Sequence, residues 1–379
     1  MIYKEFQEIE LSALGFGAMR LPTTAGDPNG SIDEKQTAEM VAYAIEHGIN
    51  YFDTAYGYHD GQSEVVMGKV LSQYPRESYY LADKFPGYDL SNMDKVEAIF
   101  EEQLAKCGVD YFDFYLLHNI YEKNVDPYMD EKYGIMDYLL AQKKAGRIRH
   151  LGFSAHGRYD TMEKFLKVYG KEMEFCQIQL NYLDWKLQDA KAKVGLLEQY
   201  RIPVWVMEPL RGGALTKLSD ENAAKLAALR PEESVPAWAF RFLQSVTSVK
   251  MVLSGMSNLE QMKENIKTFE AEKPLTEQEM TALTEVADSM LDILPCTACR
   301  YCTAQCPQQL DIPVLLSLYN ETRFANGLIT HMAVDALPEE RRPNACIGCK
   351  SCEAGCPQQL AIADAMGDFV EKLNQPAGL

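Results

Sequence analysis

Along residues 11–269, short runs of β-branched and aromatic residues alternate with longer stretches of helical period. The apolar runs at 13–17, 49–53, 79–84, 112–118, 149–154, 175–179, 203–208 and 250–254 have the length and composition of strands. Amphipathic stretches at 33–47, 63–73, 93–107, 131–145, 159–169, 189–200, 234–243 and 259–269 read as helices. Regular strand–helix alternation implies parallel strands joined by right-handed crossovers. Eight such units fit a closed (β/α)₈ barrel. A doubly wound sheet is the competing arrangement, but its glycine fingerprint is incomplete. Gly15-Phe-Gly17-Ala-Met-Arg20 has two glycines where that motif needs three, and no helix starts directly behind it.

The rhythm changes after Pro295. Of ten cysteines, Cys107 and Cys176 lie in the barrel region and eight fall between Cys296 and Cys356. The expected organisation is a barrel over 1–272, an acidic helical connector over 273–293, and a small, mainly helical domain over 294–379.

Composition narrows the partners. With 37 Lys and Arg against 55 Asp and Glu, the formal charge is −18. Such a balance disfavours nucleic acid and anionic membrane as partners. No stretch approaches the ~18 apolar residues of a membrane span. Residues 1–10 are acidic and amphipathic, unlike a secretion signal. The expectation is a cytoplasmic chain whose cysteines serve metal or redox chemistry rather than disulfides.

Barrels carry their chemistry at the C-terminal ends of strands. Here those ends are Asp53, Lys84, His118, Ser154 and Glu208. Any one of them alone would read as a turn or cap residue. A lysine closing a buried strand is different, because it needs an anionic partner, and Asp53 on the adjacent strand can supply one. Asp, Lys, His and a nearby tyrosine suit carbonyl reduction. A lysine ammonium favours tyrosinate, lowering the pKa of a tyrosine proton donor, and a histidine can hydrogen-bond the carbonyl oxygen. The segment Asp53-Thr-Ala-Tyr56-Gly-Tyr58 offers two tyrosines.

These residues resemble the aldo-keto reductases, over about 11–269. Phe52 to Tyr58 with Gln62-Ser63-Glu64 and Gly68 is similar to that family's signature, Ala82-Asp83-Lys84 to its lysine strand, and Tyr115-Leu-Leu-His118 to its histidine strand. The resemblance implies a catalytic group of Asp53, Tyr58, Lys84 and His118, with Tyr56 left to packing or the substrate pocket. It also implies NADP or NAD as cofactor. Ser154, Gln177 and Asn181 would hold the nicotinamide end. Pro209, Leu210, Gly212 and Gly213 would close over the pyrophosphate, and Gly255, Ser257, Gln261 and Asn265 would line the adenosine phosphate. Three departures from the family pattern involve four positions: Ala155 replaces an asparagine, Met207 an aromatic, and Gly255 with Gln261 the basic pair of NADP-preferring members. The loops 22–30, 119–130 and 211–231 would shape the substrate pocket.

In the C-terminal region, Cys296-x₂-Cys299-x₂-Cys302-x₃-Cys306-Pro recurs as Cys346-x₂-Cys349-x₂-Cys352-x₃-Cys356-Pro, each followed by Gln-Gln-Leu. This is the bacterial ferredoxin run, in which the fourth cysteine serves the other cluster. It implies two [4Fe–4S] clusters, one on Cys296, Cys299, Cys302 and Cys356, the other on Cys346, Cys349, Cys352 and Cys306. Zinc suits a lone Cys-x₂-Cys pair but does not call for the third and fourth cysteines. The leucine-rich stretch between the blocks resembles the α-helical ferredoxin module. The expected protein is therefore an NAD(P)H-dependent carbonyl oxidoreductase fused to a 4Fe–4S electron-transfer domain. Hydride carries two electrons and each cluster one, so a flavoprotein or ferredoxin is an expected redox partner. The alternative is an electron-transfer protein whose barrel is a docking or sensing scaffold.

Overall fold

A closed ring of eight parallel strands forms the N-terminal unit in the computed structural model, which describes residues 1–24 and 30–378. The loop expected to shape the pocket at 22–30 lies partly outside them, at residues 25–29. A hairpin of β1 (Tyr3–Phe6) and β2 (Ile9–Ser12) precedes the ring. The ring runs β3 (Leu14–Gly17), β4 (Tyr51–Asp53), β5 (Tyr80–Phe85), β6 (Phe112–Ile120), β7 (Ile148–Ala155), β8 (Cys176–Gln179), β9 (Val204–Met207) and β10 (Val249–Ser254). β10 pairs with both β9 and β3, which closes the barrel. The expected strand–helix order is thus observed, and its eight strands form a barrel rather than an open sheet.

Side chains on a strand alternate between its two faces, and this period stacks the barrel interior in layers. The lower layer is apolar. Tyr51, Ala82, Phe114, Leu116, Phe175, Trp205, Met251 and Leu253 form one buried cluster with Phe6 of the hairpin. Phe114 lies at its centre, 5.0 Å from the Tyr51 ring and 5.3 Å from Phe175. Gly152 belongs to this layer because a Cβ there would stand 2.5 Å from the Phe175 ring. Two residues further along each strand come Asp53, Lys84, His118, Ser154 and Gln177. The same alternation that fills the core therefore places polar groups directly above it.

The chain divides into two compact units, the first comprising Met1–Tyr182 with Ala190–Thr281 and the second Leu183–Asp189 with Ala282–Leu379. In the second, Lys186 pairs with Asp288 at 2.6 Å and Gln188 donates to Glu321 at 3.2 Å. Its helices Ile312–Phe324 and Ile362–Leu373 pack through Leu315, Leu316, Tyr319, Ile362, Met366 and Phe369. The cysteine blocks repeat in conformation as well as sequence. Arg300 (φ 66°) and Lys350 (φ 58°) are left-handed, and each precedes a single helical turn, Tyr301–Ala304 or Ser351–Ala354. Among the described residues, no helix is long and apolar enough to cross a membrane.

Candidate active site

Lys84 is fully buried, and its ammonium group meets three oxygens. Nζ lies 2.6 Å from Asp53 Oδ1, 2.8 Å from the Thr54 carbonyl and 3.4 Å from the Tyr58 hydroxyl. Neighbouring strands fix the first of these contacts, since β4 and β5 pair with Asp53 opposite Ala82. Tyr58 arrives from a tight turn, Tyr58–Gly61, in which His59 and Asp60 both have left-handed backbone. The Leu21 N–H donates to His59 Nε2 at 3.1 Å and so pins that turn. Tyr56 points elsewhere, accepting a cation–π contact from Lys106 and donating to Glu102.

Burial dominates the electrostatics. It raises the Asp53 pKa, while Lys84 pulls it down. Burial alone would lower the Lys84 pKa, but Asp53 and Tyr58 outweigh it, and the amine stays charged. For Tyr58, burial raises the pKa more than Lys84 lowers it. The lowering expected from the lysine is present but does not set the sign, so Tyr58 is held as a protonated donor. Burial, then Lys84 and His156, push the His118 pKa well down, leaving a neutral imidazole. The His118 ring stands edge-on to both Tyr58 (6.0 Å) and Tyr88 (5.0 Å).

The residues expected to hold a dinucleotide cluster around the same strand ends. Ser154 and Gln177 pair across β7 and β8. Ser154 Oγ accepts the Asn119 N–H at 2.8 Å. Gln177 Oε1 is buried with no donor, as is Asn119 Oδ1. Orphaned buried acceptors are costly and point to a missing donor, which a carboxamide NH₂ can supply. Asn181 donates to the Glu208 carbonyl at 3.0 Å, bracing the segment that leads into Pro209 and Leu210. In the turn Arg211–Thr216, Gly212 (φ 62°) and Gly213 (φ 95°) take backbone that favours glycine, and Gly213 faces open space. After β10, the Ser257 N–H donates to Gln261 Oε1, Asn258 caps helix Leu259–Thr268, and Asn265 reaches Ser254 Oγ at 3.1 Å.

Two residues in this region escaped the sequence reading. Arg20 lays its stem against Gly255 and brings its guanidinium beside Gly212, between the two loops expected to hold phosphates. Its place in the turn Ala18–Arg20, just past the end of β3, was the available signal. Tyr88 packs on His118, and its hydroxyl occupies the space a Gly57 side chain would need. Its signal was its position four residues past Lys84, where the backbone turns at Pro86-Gly87.

The eight clustered cysteines divide between two cavities. Cys306, Cys346, Cys349 and Cys352 line one, and Cys296, Cys299, Cys302 and Cys356 line the other. Cys107 and Cys176 are buried elsewhere, and burial raises both thiols well above their usual range. Among the described residues, no group of three or more His, Cys, Asp or Glu is gathered tightly enough for a single metal ion.

A parallel eight-stranded barrel with a buried Asp–Lys–Tyr group and a neutral histidine at its strand ends defines an oxidoreductase scaffold. The chain belongs to the aldo/keto reductase family, whose model matches residues 13–288, and a 4Fe-4S dicluster domain model matches residues 295–361. Among curated proteins it is 26% identical to NADH-specific methylglyoxal reductase of Escherichia coli over 75% of this chain and 97% of the relative. It is also 26% identical to L-galactose dehydrogenase of Arabidopsis thaliana, over 68% and 84%. Among solved structures, the holo form of an aldo-keto reductase from Bacillus halodurans superposes with a TM-score of 0.60 at 24% identity, covering 76% of this chain and 96% of that one. An aldo-keto reductase from Klebsiella pneumoniae in complex with NADPH gives the same TM-score and coverage at 18% identity, a likeness of fold.

Proposed function

We propose that the barrel reduces a small carbonyl compound, with a nicotinamide dinucleotide bound by Ser154, Gln177, Asn181 and the loops containing Gly212, Gly213, Gly255, Ser257, Gln261 and Asn265. The observation that carries this reading is the Lys84 ammonium, which touches both Asp53 and Tyr58. When bound, NADH or NADPH supplies the hydride that reaches the carbonyl carbon. Tyr58 gives its phenolic proton to the carbonyl oxygen, completing an alcohol, and takes a proton back from water afterwards. Lys84 stabilises the transient tyrosinate, and Asp53 keeps Lys84 charged. Neutral His118 donates one hydrogen bond to the oxygen as its charge grows. The lower apolar layer closes the floor beneath these groups.

The C-terminal unit holds two [4Fe–4S] clusters in this reading. Each cavity is ringed by three cysteines of one block and the fourth of the other, the ferredoxin pattern. Iron–sulfur clusters supply one-electron transfer to an external redox protein. The test of the barrel reading is Tyr58→Phe with methylglyoxal as probe substrate and NADH or NADPH in parallel. Turnover should fall by about 10²–10⁴-fold while cofactor binding, followed by fluorescence, is retained. Wild-type turnover in this variant would overturn the assignment.

A further inference from the structure

Asp83 precedes Lys84 on β5, so its side chain faces away from the barrel interior, toward helices Gln62–Leu71 and Val96–Cys107. It is fully buried. Asp83 Oδ1 accepts the Lys84 N–H at 2.8 Å and Gln103 Nε2 at 2.8 Å. Gln103 Nε2 also donates to the Lys84 carbonyl at 3.0 Å. Both main-chain polar groups of Lys84 are thus reached by buried side chains. Tyr115 fixes the other end of Gln103, donating to Oε1 at 2.5 Å.

A second buried carboxyl completes this network. Glu64, on helix Gln62–Leu71, is likewise fully buried. Its Oε1 has no hydrogen-bond partner, a buried acceptor in need of a donor, while Oε2 accepts from Lys106 at 3.2 Å. The groups facing Asp83 are Glu64 from one helix, Gln103, Lys106 and Cys107 from the next, Tyr115 from β6, and Lys84. Cys107 and Tyr115 are kept neutral by burial. Lys106 is shared with Glu102, so two ionised carboxylates at Asp83 and Glu64 would leave buried negative charge uncompensated. Burial, and next Glu64, raise the Asp83 carboxyl well above its ordinary range.

We propose that Asp83 carries a proton that answers the partnerless Glu64 Oε1, and that Asp83, neutralised in this way, is a positioning residue which with Gln103 fixes the backbone of Lys84 and so the reach of its ammonium to Tyr58. The positioning role rests on the reading of Lys84 as the partner of a proton-donating tyrosine. The Asp83 proton does not.

Infrared difference spectra of the full chain in H₂O and D₂O read the proton directly. A protonated-carboxyl C=O band is expected at neutral pH, and Asp83→Asn or Glu64→Gln should remove it. A spectrum unchanged by both substitutions overturns the Asp83 proton. For the positioning role, Asp83→Asn preserves the acceptor and the neutral charge. It should keep methylglyoxal turnover within about threefold of wild type, whereas Asp83→Ala should lower kcat about tenfold or more at unchanged KM for NAD(P)H. Tyr115→Phe frees Gln103 without emptying the site, so it covers the case in which Asp83→Ala fails to fold. It should lower kcat by a smaller factor, again at unchanged KM. Equal losses in the Asn and Ala variants, or full kcat in both the Ala and Phe variants, overturn the role. Failure of the carbonyl-reduction reading shows separately, as undiminished turnover in Tyr58→Phe with the infrared band intact.

Discussion

The barrel site and the cysteine-lined unit solve the problem of buried polar groups in opposite ways. In the barrel, Lys84 is matched by Asp53, Thr54 and Tyr58, and its backbone by Asp83 and Gln103, all from the chain itself. In the C-terminal unit, Cys302 and Cys352 belong to the hydrophobic core, and with the other six clustered cysteines they line two cavities. One region is organised by protein contacts. The other sets its thiols around two cavities. The lesson is that a charge-paired core and a thiol-lined core coexist in one chain, each confined to its own unit.

The sharpest way to break that contrast is to strip iron and sulfide from the whole chain with a chelator under air-free conditions. Amide exchange should then lose protection throughout Ile312–Phe324 and Ile362–Leu373, while β3–β10 keep theirs. Equal protection in both regions would dissolve the distinction. Next in size is Lys84→Met, which leaves Asp53 as a buried unpaired carboxylate and should cost about 3–5 kcal/mol in urea unfolding. Adding Asp53→Asn should restore most of that stability without restoring turnover, separating the charge pair's structural part from its chemical one.

A smaller effect concerns His156, whose burial lowers its pKa to about 3 from 6.5. The unfolded chain binds this proton below pH 6.5 and the folded chain does not, so stability is present above 6.5 and is lost as pH falls. From pH 7 to pH 5 the loss due to His156 should be about 2 kcal/mol, and His156→Gln should remove that share of the pH dependence. The smallest effect is expected from Arg300→Ala. Its ion pair with Asp311 is exposed, and losing it should change the stability of the second unit by less than about 1 kcal/mol. A larger loss would mean that surface charge, not the cavity-centred core, holds that unit.

Much of the barrel was legible because strand runs ended repeatedly in ionisable residues, a pattern that survives without coordinates. The hairpin β1–β2 was not. Its turn is Gln7-Glu8 with Gln7 at φ 52°, so the usual Asn-Gly or Gly signal is missing. Helix Asp220–Leu229 lay within a stretch read as loop, although Ser219 and two acids announce its start. At the site, the identity of the polar groups was readable but their balance was not. Lys84 beside Tyr58 could be anticipated. That burial would outweigh it depends on how completely Tyr58 is enclosed, which no spacing encodes. Arg20 and Tyr88 come to their neighbours through folding, from loops whose sequence carries no partner.

The repeated cysteine blocks also make the two cavities interdependent. Cys296 and Cys346 begin copies that match through Pro-Gln-Gln-Leu, and each cavity draws its fourth thiol from the other copy. Neither block alone supplies four thiols to one cavity. Cutting away either copy would therefore take thiols from both cavities at once.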